Sequence, residues 1–263
     1  MEAYSGLASR LIQRSDFDGI WESSLTDSAS KGLPDIELVT YDSRLNTIRE
    51  IRMNSDKPIV VDWDTGGQID HFPHWVKELE KAGVNAIVIE DKAFPKRNSL
   101  MEGAHHILED VDKFSEKIAA GKAVAKDIMI IARLESLIAK HSMFEALVRA
   151  EAYIDAGADG IMIHSKSDVS GEEVMQFADK FKKQFPKVPL MCVPTTYNNV
   201  KDTILEEAGF NIICHANHLL RASITAMQDT IEKILKNDCS KGLKIASVKD
   251  IFALTGDRDK TKS

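Results

Sequence analysis

The sequence predicts an α/β fold, a (β/α)8 barrel, and two observations support that prediction. Four segments repeat one pattern, a helix end followed by a short turn and an apolar strand: QRSDFDGIWESS, EKAGVNAIVIED, IDAGADGIMIHS and EEAGFNIICHAN. Glycine after a last helical turn suits the left-handed end of a helix, and a continuous apolar strand is typical of a buried parallel sheet. Strand and helix patterns also alternate along the whole chain, as they do in a barrel.

Eight strands are predicted. The first is short, Met1–Tyr4, four lie in the repeated segments, and three lie in KPIVVDWD, DIMIIARLE and VPLMCVPT. Apolar residues three and four apart predict the helices between them: Thr40–Met53, Phe72–Lys81, Ile107–Ala120, Met143–Ala156, Glu172–Phe185 and Val200–Ala208. We expect one barrel domain over residues 1–255 and a disordered tail over residues 256–263.

The composition limits the class of protein. Of the 263 residues 43% are hydrophobic, which is enough for a sizeable core, and the formal net charge is −7 with no long basic run. This charge disfavours nucleic acid or an anionic membrane as the main partner. We find no membrane-spanning run and no signal-peptide pattern. Three cysteines without paired spacing (Cys192, Cys214 and Cys239) suit a reduced compartment, so we expect a cytoplasmic protein.

Polar side chains end nearly every predicted strand. The strand ends are Trp21-Glu22-Ser23-Ser24, Asp62-Trp63-Asp64, Glu90-Asp91-Lys92, Arg133-Leu134-Glu135, His164-Ser165-Lys166, Pro194-Thr195 and His215-Ala216-Asn217. In barrels of this kind the chemistry is located at the carboxyl ends of the strands. We therefore predict an active site at this rim.

An acidic cluster on the rim predicts a metal site. Asp62 and Asp64 are two residues apart, so both should point to the same side of a strand. Together with Glu90 they would repel one another unless a cation neutralises them. Hard carboxylate ligands suit Mg²⁺ that keeps several waters. The alternative is an ordinary solvated loop.

The cations on the rim predict an anionic substrate. Arg133 ends an apolar strand, where a guanidinium suits bidentate binding of an anion; the alternative is a structural ion pair with Glu135. His164 follows the apolar run GIMI and could also be a satisfied core histidine. Cations that face a metal site imply a dianionic or phosphorylated small molecule as the substrate.

Five motifs together resemble the phosphoenolpyruvate mutase family of the isocitrate lyase superfamily: DWDTG, EDKAFPKRNS, ARLE, IHSK and ANHLLRAS. The resemblance extends from Met1 to Phe252, essentially the whole chain. It implies an isomerase that uses Mg²⁺ to interconvert phosphoenolpyruvate and phosphonopyruvate, forming the carbon–phosphorus bond of phosphonate biosynthesis. It also implies an isocitrate-lyase-like barrel that exchanges its last helix between subunits of a dimer or tetramer. Apolar helix positions in Asn217–Leu235 and Ser247–Leu254 agree with that exchange.

The resemblance implies roles for the metal-binding and pyruvyl-binding residues. Asp62 matches the direct metal ligand, and Asp64 and Glu90 match residues that hold metal-bound waters. Ser23, Ser24 and Leu25 match residues whose backbone N–H groups bind the pyruvyl part of the substrate. Trp21 matches a residue that packs over it.

The resemblance also implies roles around the phosphoryl group. Asp35 matches an aspartate close to the migrating group. Four more residues match the side chains that bind the phosphoryl group: Arg133, His164, Asn98 and Ser99. Lys96 matches the lysine of a lid that closes over the site, here Lys92 to about His106.

Some residues depart from the family pattern, and these departures leave the identity of the substrate undetermined. Gly67-Gln68-Ile69 replaces Tyr-Gly-Asn, Ser24 replaces glycine, Tyr4 replaces histidine, and Trp63 stands at a position that is usually small.

Three alternatives to the mutase activity therefore remain. The first is phosphonopyruvate hydrolase, whose members carry threonine where Asn98 stands, which favours the mutase. The second is a carbon–carbon lyase, which would need a cysteine in its lid, and KAFPKRNS has none. The third is a non-catalytic protein that binds phosphorylated metabolites.

Overall fold

The computed structural model describes residues 1–101, 103–166 and 169–256. One sheet contains seven parallel strands in chain order, and each strand pairs with the next. The strands are β1 (Ile20–Glu22), β2 (Ile59–Asp62), β3 (Ala86–Glu90), β4 (Met129–Leu134), β5 (Gly160–Ile163), β6 (Leu190–Cys192) and β7 (Ile212–Ile213). Because all the strands run the same way, their carboxyl ends lie on one rim. The predicted α/β barrel architecture is confirmed.

The first predicted strand is wrong in length but not in place. Met1–Tyr4 forms only a single bridge, in which Glu2 pairs in parallel with Trp21 of β1. The backbone N–H of Glu2 also donates to the carbonyl of His215, just beyond β7, at 3.0 Å. The segment is short because Ser5 immediately caps the next helix, where its hydroxyl accepts from the N–H of Ala8. These few residues nevertheless join the two edges of the sheet.

Helices connect the strands. Among the described residues they are α1 (Gly6–Gln13), α2 (Ser24–Ser30), α3 (Tyr41–Met53), α4 (Phe72–Lys81), α5 (Val111–Lys122), α6 (Met143–Asp155), α7 (Glu172–Gln184), α8 (Asp202–Glu207), α9 (His218–Asn237) and α10 (Val248–Thr255). The bounds of α4 agree with the prediction. By contrast, α5 begins four residues later than predicted, because Asp110 accepts from the N–H groups of Asp112 and Lys113 and so caps the helix.

Alternation along the strands separates two apolar layers and decides which strand ends face the barrel interior. Ile87 and Ile89 pack in the large layer between the sheet and the helices, whereas Ala86 and Val88 pack in the smaller layer inside the barrel. Continuing this alternation places Glu90 on the inner side, above Val88. By the same alternation, Arg133 follows the inward Ile131 and His164 follows the inward Met162. The three ionisable side chains therefore converge at the top of the barrel.

Two further expectations concern the chain as a whole. No helix in residues 1–101, 103–166 and 169–256 is long and apolar enough to cross a membrane. All three cysteines are free, and two of them, Cys192 and Cys214, are buried. The division into one domain over residues 1–255 stays a prediction, and residues 257–263 of the predicted tail lie outside the described residues.

Candidate active site

A pocket opens at the carboxyl end of the barrel, and nearly all the predicted site residues line it. Its wall is formed by Trp21, Ser23, Ser24, Leu25, Asp35, Asp62, Glu90, Lys96, Asn98, Ser99, Leu100, Arg133, Met162, His164, Val193, Thr195, Ala216 and Asn217. Asp64 alone among the predicted residues lies behind this wall, where it contacts Lys96 and borders a neighbouring cleft. The strand ends and the lid thus meet at one site.

Lys96, from the lid, occupies the middle of the acidic cluster. Its ammonium lies 2.9 Å from Asp35 Oδ1 and 3.9 Å from Glu90 Oε1, and it also contacts Asp64 Oδ1. It donates to Ser24 Oγ at 3.3 Å. Burial alone would lower the pKa of Lys96, but the surrounding carboxylates outweigh it and raise that pKa well above the usual value. The lid is therefore closed by an ammonium that neutralises the carboxylates.

The carboxylates fit a hydrated divalent cation better than a fully ligated one. Among the described residues no group of three acidic, histidine or cysteine side chains converges to ligate a metal directly. Asp62 Oδ2 accepts from Ser24 Oγ at 3.1 Å, and Glu90 Oε1 is buried without a hydrogen-bond partner in the described part of the chain. Burial raises the pKa of Glu90 to about 7, although nearby cations oppose it. Hard oxygen donors, one of them without a hydrogen bond, suit a cation that keeps most of its waters.

The orientation of Asp64 has a different cause from the one predicted. Strand alternation does not place it, because β2 ends at Asp62 and Asp64 lies in the following turn with a φ of 54°. Aspartate tolerates this left-handed conformation better than most residues. The turn is fixed by two backbone bonds, from Gly66 N–H to the Trp63 carbonyl and from Glu90 N–H to the Asp64 carbonyl.

Arg133 is paired with Glu135 and also faces the pocket. Its Nε lies 2.6 Å from Glu135 Oε1, and its Nη2 donates to Ser99 Oγ at 2.9 Å and contacts His164 Nδ1 at 2.9 Å. The ion pair with Glu135 is therefore present, and it leaves Arg133 in the lining of the pocket, while binding of an anion by Arg133 stays a prediction. Burial opposes the charge on Glu135, but Arg133 and Lys92 outweigh it and hold the pKa of Glu135 well below its usual value. Burial and Arg133 lower the pKa of His164.

The side-chain amide of Asn98 makes two contacts. Its Oδ1 accepts from the N–H of Leu100 at 2.9 Å, which caps the turn, and its Nδ2 donates to Asp35 Oδ2 at 2.5 Å. The cap fixes which end of the amide faces the pocket. Burial would raise the pKa of Asp35, but Lys96, Asn98 and Arg133 outweigh it and lower that pKa. Asp35 is therefore an ionised carboxylate within the closed site.

Ser23, Ser24 and Leu25 lie at the start of α2, with Ser23 as its N-cap. Backbone N–H groups in the first turn of a helix have no acceptor within the helix. All three residues line the pocket, and N–H groups at the start of a helix are of the kind that binds a carboxylate.

Arg44 is the residue beneath the site that the sequence reasoning missed. It lies on α3 and is 2% exposed, and it pairs with Asp64 and with Glu22. The signal in the sequence is weak: an arginine on the apolar face of a helix, next to the buried Leu45 and Ile48. Burial raises the pKa of Glu22 to about 8 in spite of Arg44.

Comparison with known proteins agrees with this geometry. Residues 1–235 match the family model described as phosphoenolpyruvate phosphomutase. The chain belongs to the phosphoenolpyruvate phosphomutase family. It is 36% identical to the phosphoenolpyruvate phosphomutase of Tetrahymena pyriformis, over 98% of this chain and 86% of that protein. It is also 36% identical to the phosphonopyruvate hydrolase of Variovorax sp. (strain Pal2), over 98% of this chain and 89% of that protein.

Solved structures of this family overlay closely on the chain. A crystal structure of the phosphoenolpyruvate phosphomutase from Streptomyces platensis subsp. rosaceus has a TM-score of 0.92 at 40% identity, covering 97% of this chain and 89% of that chain. A phosphonopyruvate hydrolase in complex with oxalate and Mg²⁺ has a TM-score of 0.88 at 34% identity, covering 98% and 89%. The family and the fold expected from the five motifs are therefore confirmed.

Proposed function

We propose that this member of the family is a phosphoenolpyruvate mutase, which moves a phosphoryl group between carbon and oxygen of a pyruvyl unit. The observation that carries the proposal is the amide of Asn98. Its N–H₂ group is oriented by the Leu100 cap and contacts Asp35, in a pocket that Arg133 and His164 also line. A phosphoryl group in this position would have donors around its oxygens and little room for water.

Asp62, with Asp64 and Glu90 acting through waters, would hold Mg²⁺. The ion would supply positive charge beside the negative oxygens of the pyruvyl unit. Lys96 now pairs with two of these carboxylates, Asp64 and Glu90, so it would have to shift when the ion binds. The donor set supports this assignment, and so does Glu90 Oε1, which has no hydrogen-bond partner among the described residues.

The side chains of the protein bind and orient the substrate. The N–H groups of Ser23, Ser24 and Leu25 hold the carboxylate and the enolate oxygen, and Trp21 packs over them. Arg133, His164, Asn98 and Ser99 hold the phosphoryl oxygens. Phosphoryl transfer through a loose transition state leaves a protein mainly positioning and charge stabilisation to provide.

Asp35 acts as a charged guide beside the moving group and not as a nucleophile. The reaction breaks the carbon–phosphorus bond as the enolate oxygen takes the phosphoryl group, so no covalent relay through the protein is required. A phosphorylated Asp35 peptide trapped during turnover would contradict this role. The closed lid excludes water, which would otherwise capture the phosphoryl group.

The second candidate is phosphonopyruvate hydrolysis, because the hydrolase of Variovorax sp. is as similar in sequence as the Tetrahymena mutase. Two coupled assays separate the two activities. Lactate dehydrogenase alone detects pyruvate, the hydrolase product, whereas detection of phosphoenolpyruvate also requires pyruvate kinase and ADP. We expect a signal from phosphonopyruvate and Mg²⁺ only with pyruvate kinase and ADP present. A signal of equal size without them would favour the hydrolase.

The protein is further proposed to act in the cytoplasm as a dimer or tetramer. Helix α9 carries a stripe of exposed apolar side chains, Ile224, Met227, Ile231 and Ile234. Helix α10 has no buried residue, and its carbonyl groups accept from two arginines, Leu254 from Arg10 of α1 and Ala253 from Arg14, which follows α1. Apolar surface of this kind suits helix exchange with a second copy of the chain.

A further inference from the structure

Arg44 makes a buried connection between the carboxylates of the proposed metal site and the outer side of the sheet. Its Nη1 donates to Asp64 Oδ2 at 2.8 Å, and its Nη2 donates to Glu22 Oε2 at 2.7 Å. Nη2 also contacts the backbone carbonyl of Asp62. The guanidinium lies over the ring of Trp63, 4.8 Å from its centroid. One side chain thus contacts both residues of the DWD segment that carry carboxylates.

The two oxygens of the Asp64 carboxylate contact different cations. Asp64 Oδ2 faces Arg44, while Oδ1 faces the Lys96 ammonium. The backbone of Asp64 is already fixed by its turn and by the bond from Glu90 N–H at 2.8 Å. The remaining freedom is rotation of the side chain, and the bond to Arg44 removes it.

We propose that Arg44 is a positioning residue for the metal site, which keeps Asp64 Oδ1 and the Asp62 carboxylate aimed at the position of the cation. Glu22 orients Arg44 in turn, because it takes the nitrogen that does not face Asp64. The inference rests on the proposed function, which assigns the metal to Asp62, Asp64 and Glu90. Partners that orient metal-binding groups typically change metal affinity by about 10- to 100-fold.

Positioning and simple charge predict opposite effects on Mg²⁺ affinity. Arg44 is a cation close to the site, so its charge alone opposes Mg²⁺, and its removal should strengthen binding. If Arg44 acts by positioning, its removal should weaken binding. The double variant Glu22→Gln with Arg44→Met makes this comparison, since it leaves the site as negative as before or more so. Replacing both members of a buried ion pair together is often neutral for stability.

The experiment measures Mg²⁺ binding by calorimetry and by the Mg²⁺-dependent rise in melting temperature, neither of which requires turnover. Arg44→Lys keeps the charge but cannot bond Asp64 and Glu22 together, because it lacks the planar fork of a guanidinium. Arg52→Met is the matched control, since Arg52 lies on the same helix and bonds only carbonyl and amide oxygens at the other end of the sheet. Kinetics at increasing Mg²⁺ concentration provide a further readout.

We expect Glu22→Gln/Arg44→Met and Arg44→Lys each to bind Mg²⁺ about tenfold more weakly or worse. The kcat at saturating Mg²⁺ should change much less, and Arg52→Met should bind as the wild type does. Folded variants that bind Mg²⁺ as tightly as the wild type, or more tightly, would overturn the inference, and so would a wild type that binds no Mg²⁺. If the double variant does not fold, the Mg²⁺ affinity of Arg44→Lys alone tests the inference. If Arg44 controls Mg²⁺ binding but the wild type does not convert phosphonopyruvate, the inference stands and the proposed function fails.

Discussion

Asn98 and Asp35 meet inside the closed site, where the amide Nδ2 of Asn98 lies 2.5 Å from Asp35 Oδ2. The residues come from different segments of the chain, since Asn98 belongs to the lid and Asp35 to the segment between α2 and α3. The contact therefore connects the lid to the body of the barrel. It also places an amide donor beside the carboxylate that is proposed to guide the phosphoryl group.

Replacing Asn98 should separate mutase from hydrolase activity. A lost hydrogen bond to a charged group costs about 1.5–3 kcal/mol, which is about ten- to a hundred-fold in rate. We therefore expect Asn98→Ala to lose most mutase activity. Asn98→Thr should release a larger share of inorganic phosphate, because the shorter side chain leaves room for water. The measurement is product composition from phosphonopyruvate, with the exposed Asn46→Ala as a control. An unchanged product ratio in Asn98→Thr would contradict this role.

The carboxylates should differ in their importance for the metal. Asp62→Ala should abolish both turnover and Mg²⁺ binding, because Asp62 is the proposed direct ligand. Glu90→Gln should weaken both less, since a contact made through water tolerates an amide better than a direct one. Titration of activity with Mg²⁺, and of Mg²⁺ binding by calorimetry, measures both. Full activity of Asp62→Ala in excess EDTA would exclude the metal assignment.

Lys96 should compete with the metal for the same carboxylates. Its ammonium pairs with Asp64 and Glu90 of the proposed metal site, so a divalent cation has to displace it. Without substrate, Lys96→Met should bind Mg²⁺ about tenfold more tightly than the wild type, because a positive charge has been removed. Turnover should fall in the same variant, because the lid loses its closing contact. Lys113→Met, at an exposed position of α5, is the control. Weaker Mg²⁺ binding in Lys96→Met would show that the lysine supports the metal site.

The stripe on α9 should mediate assembly. Its members are three and four residues apart and therefore share one face of the helix. The wild type should sediment as a dimer or tetramer at micromolar concentration, and Met227→Glu with Ile231→Glu should reduce that assembly. Thr225→Glu with Ala226→Glu places the same charges off the stripe and should not. A monomeric wild type would contradict helix exchange.

The parts of the site that follow from strand alternation could be predicted from the sequence. Glu90, Arg133 and His164 each lie two residues beyond an inward-facing apolar residue, so their convergence needed only the order of the strands. The presence of Lys96 and Asn98 at the pocket was expected from the family motif and not from alternation, and their contacts with Asp35 were not predicted.

Other features depend on tertiary contacts that leave little trace in the sequence. The edges of the sheet meet through a single bridge at Glu2, which is too short for any periodic signal. The orientation of Asp64 is set by a left-handed turn and by the bond to Arg44, which lies on α3. An arginine on the apolar face of α3 could only be explained once its contacts with Glu22 and Asp64 were known.

Phosphorus NMR of the wild type with phosphonopyruvate and Mg²⁺ tests the central claim most directly, because it observes the migrating atom in every product. We predict that the signal of carbon-bonded phosphorus converts into that of phosphoenolpyruvate, with little free phosphate. The spectrum should not change when EDTA is present. Inorganic phosphate as the main product would establish the hydrolase instead, and an unchanged spectrum would contradict both activities.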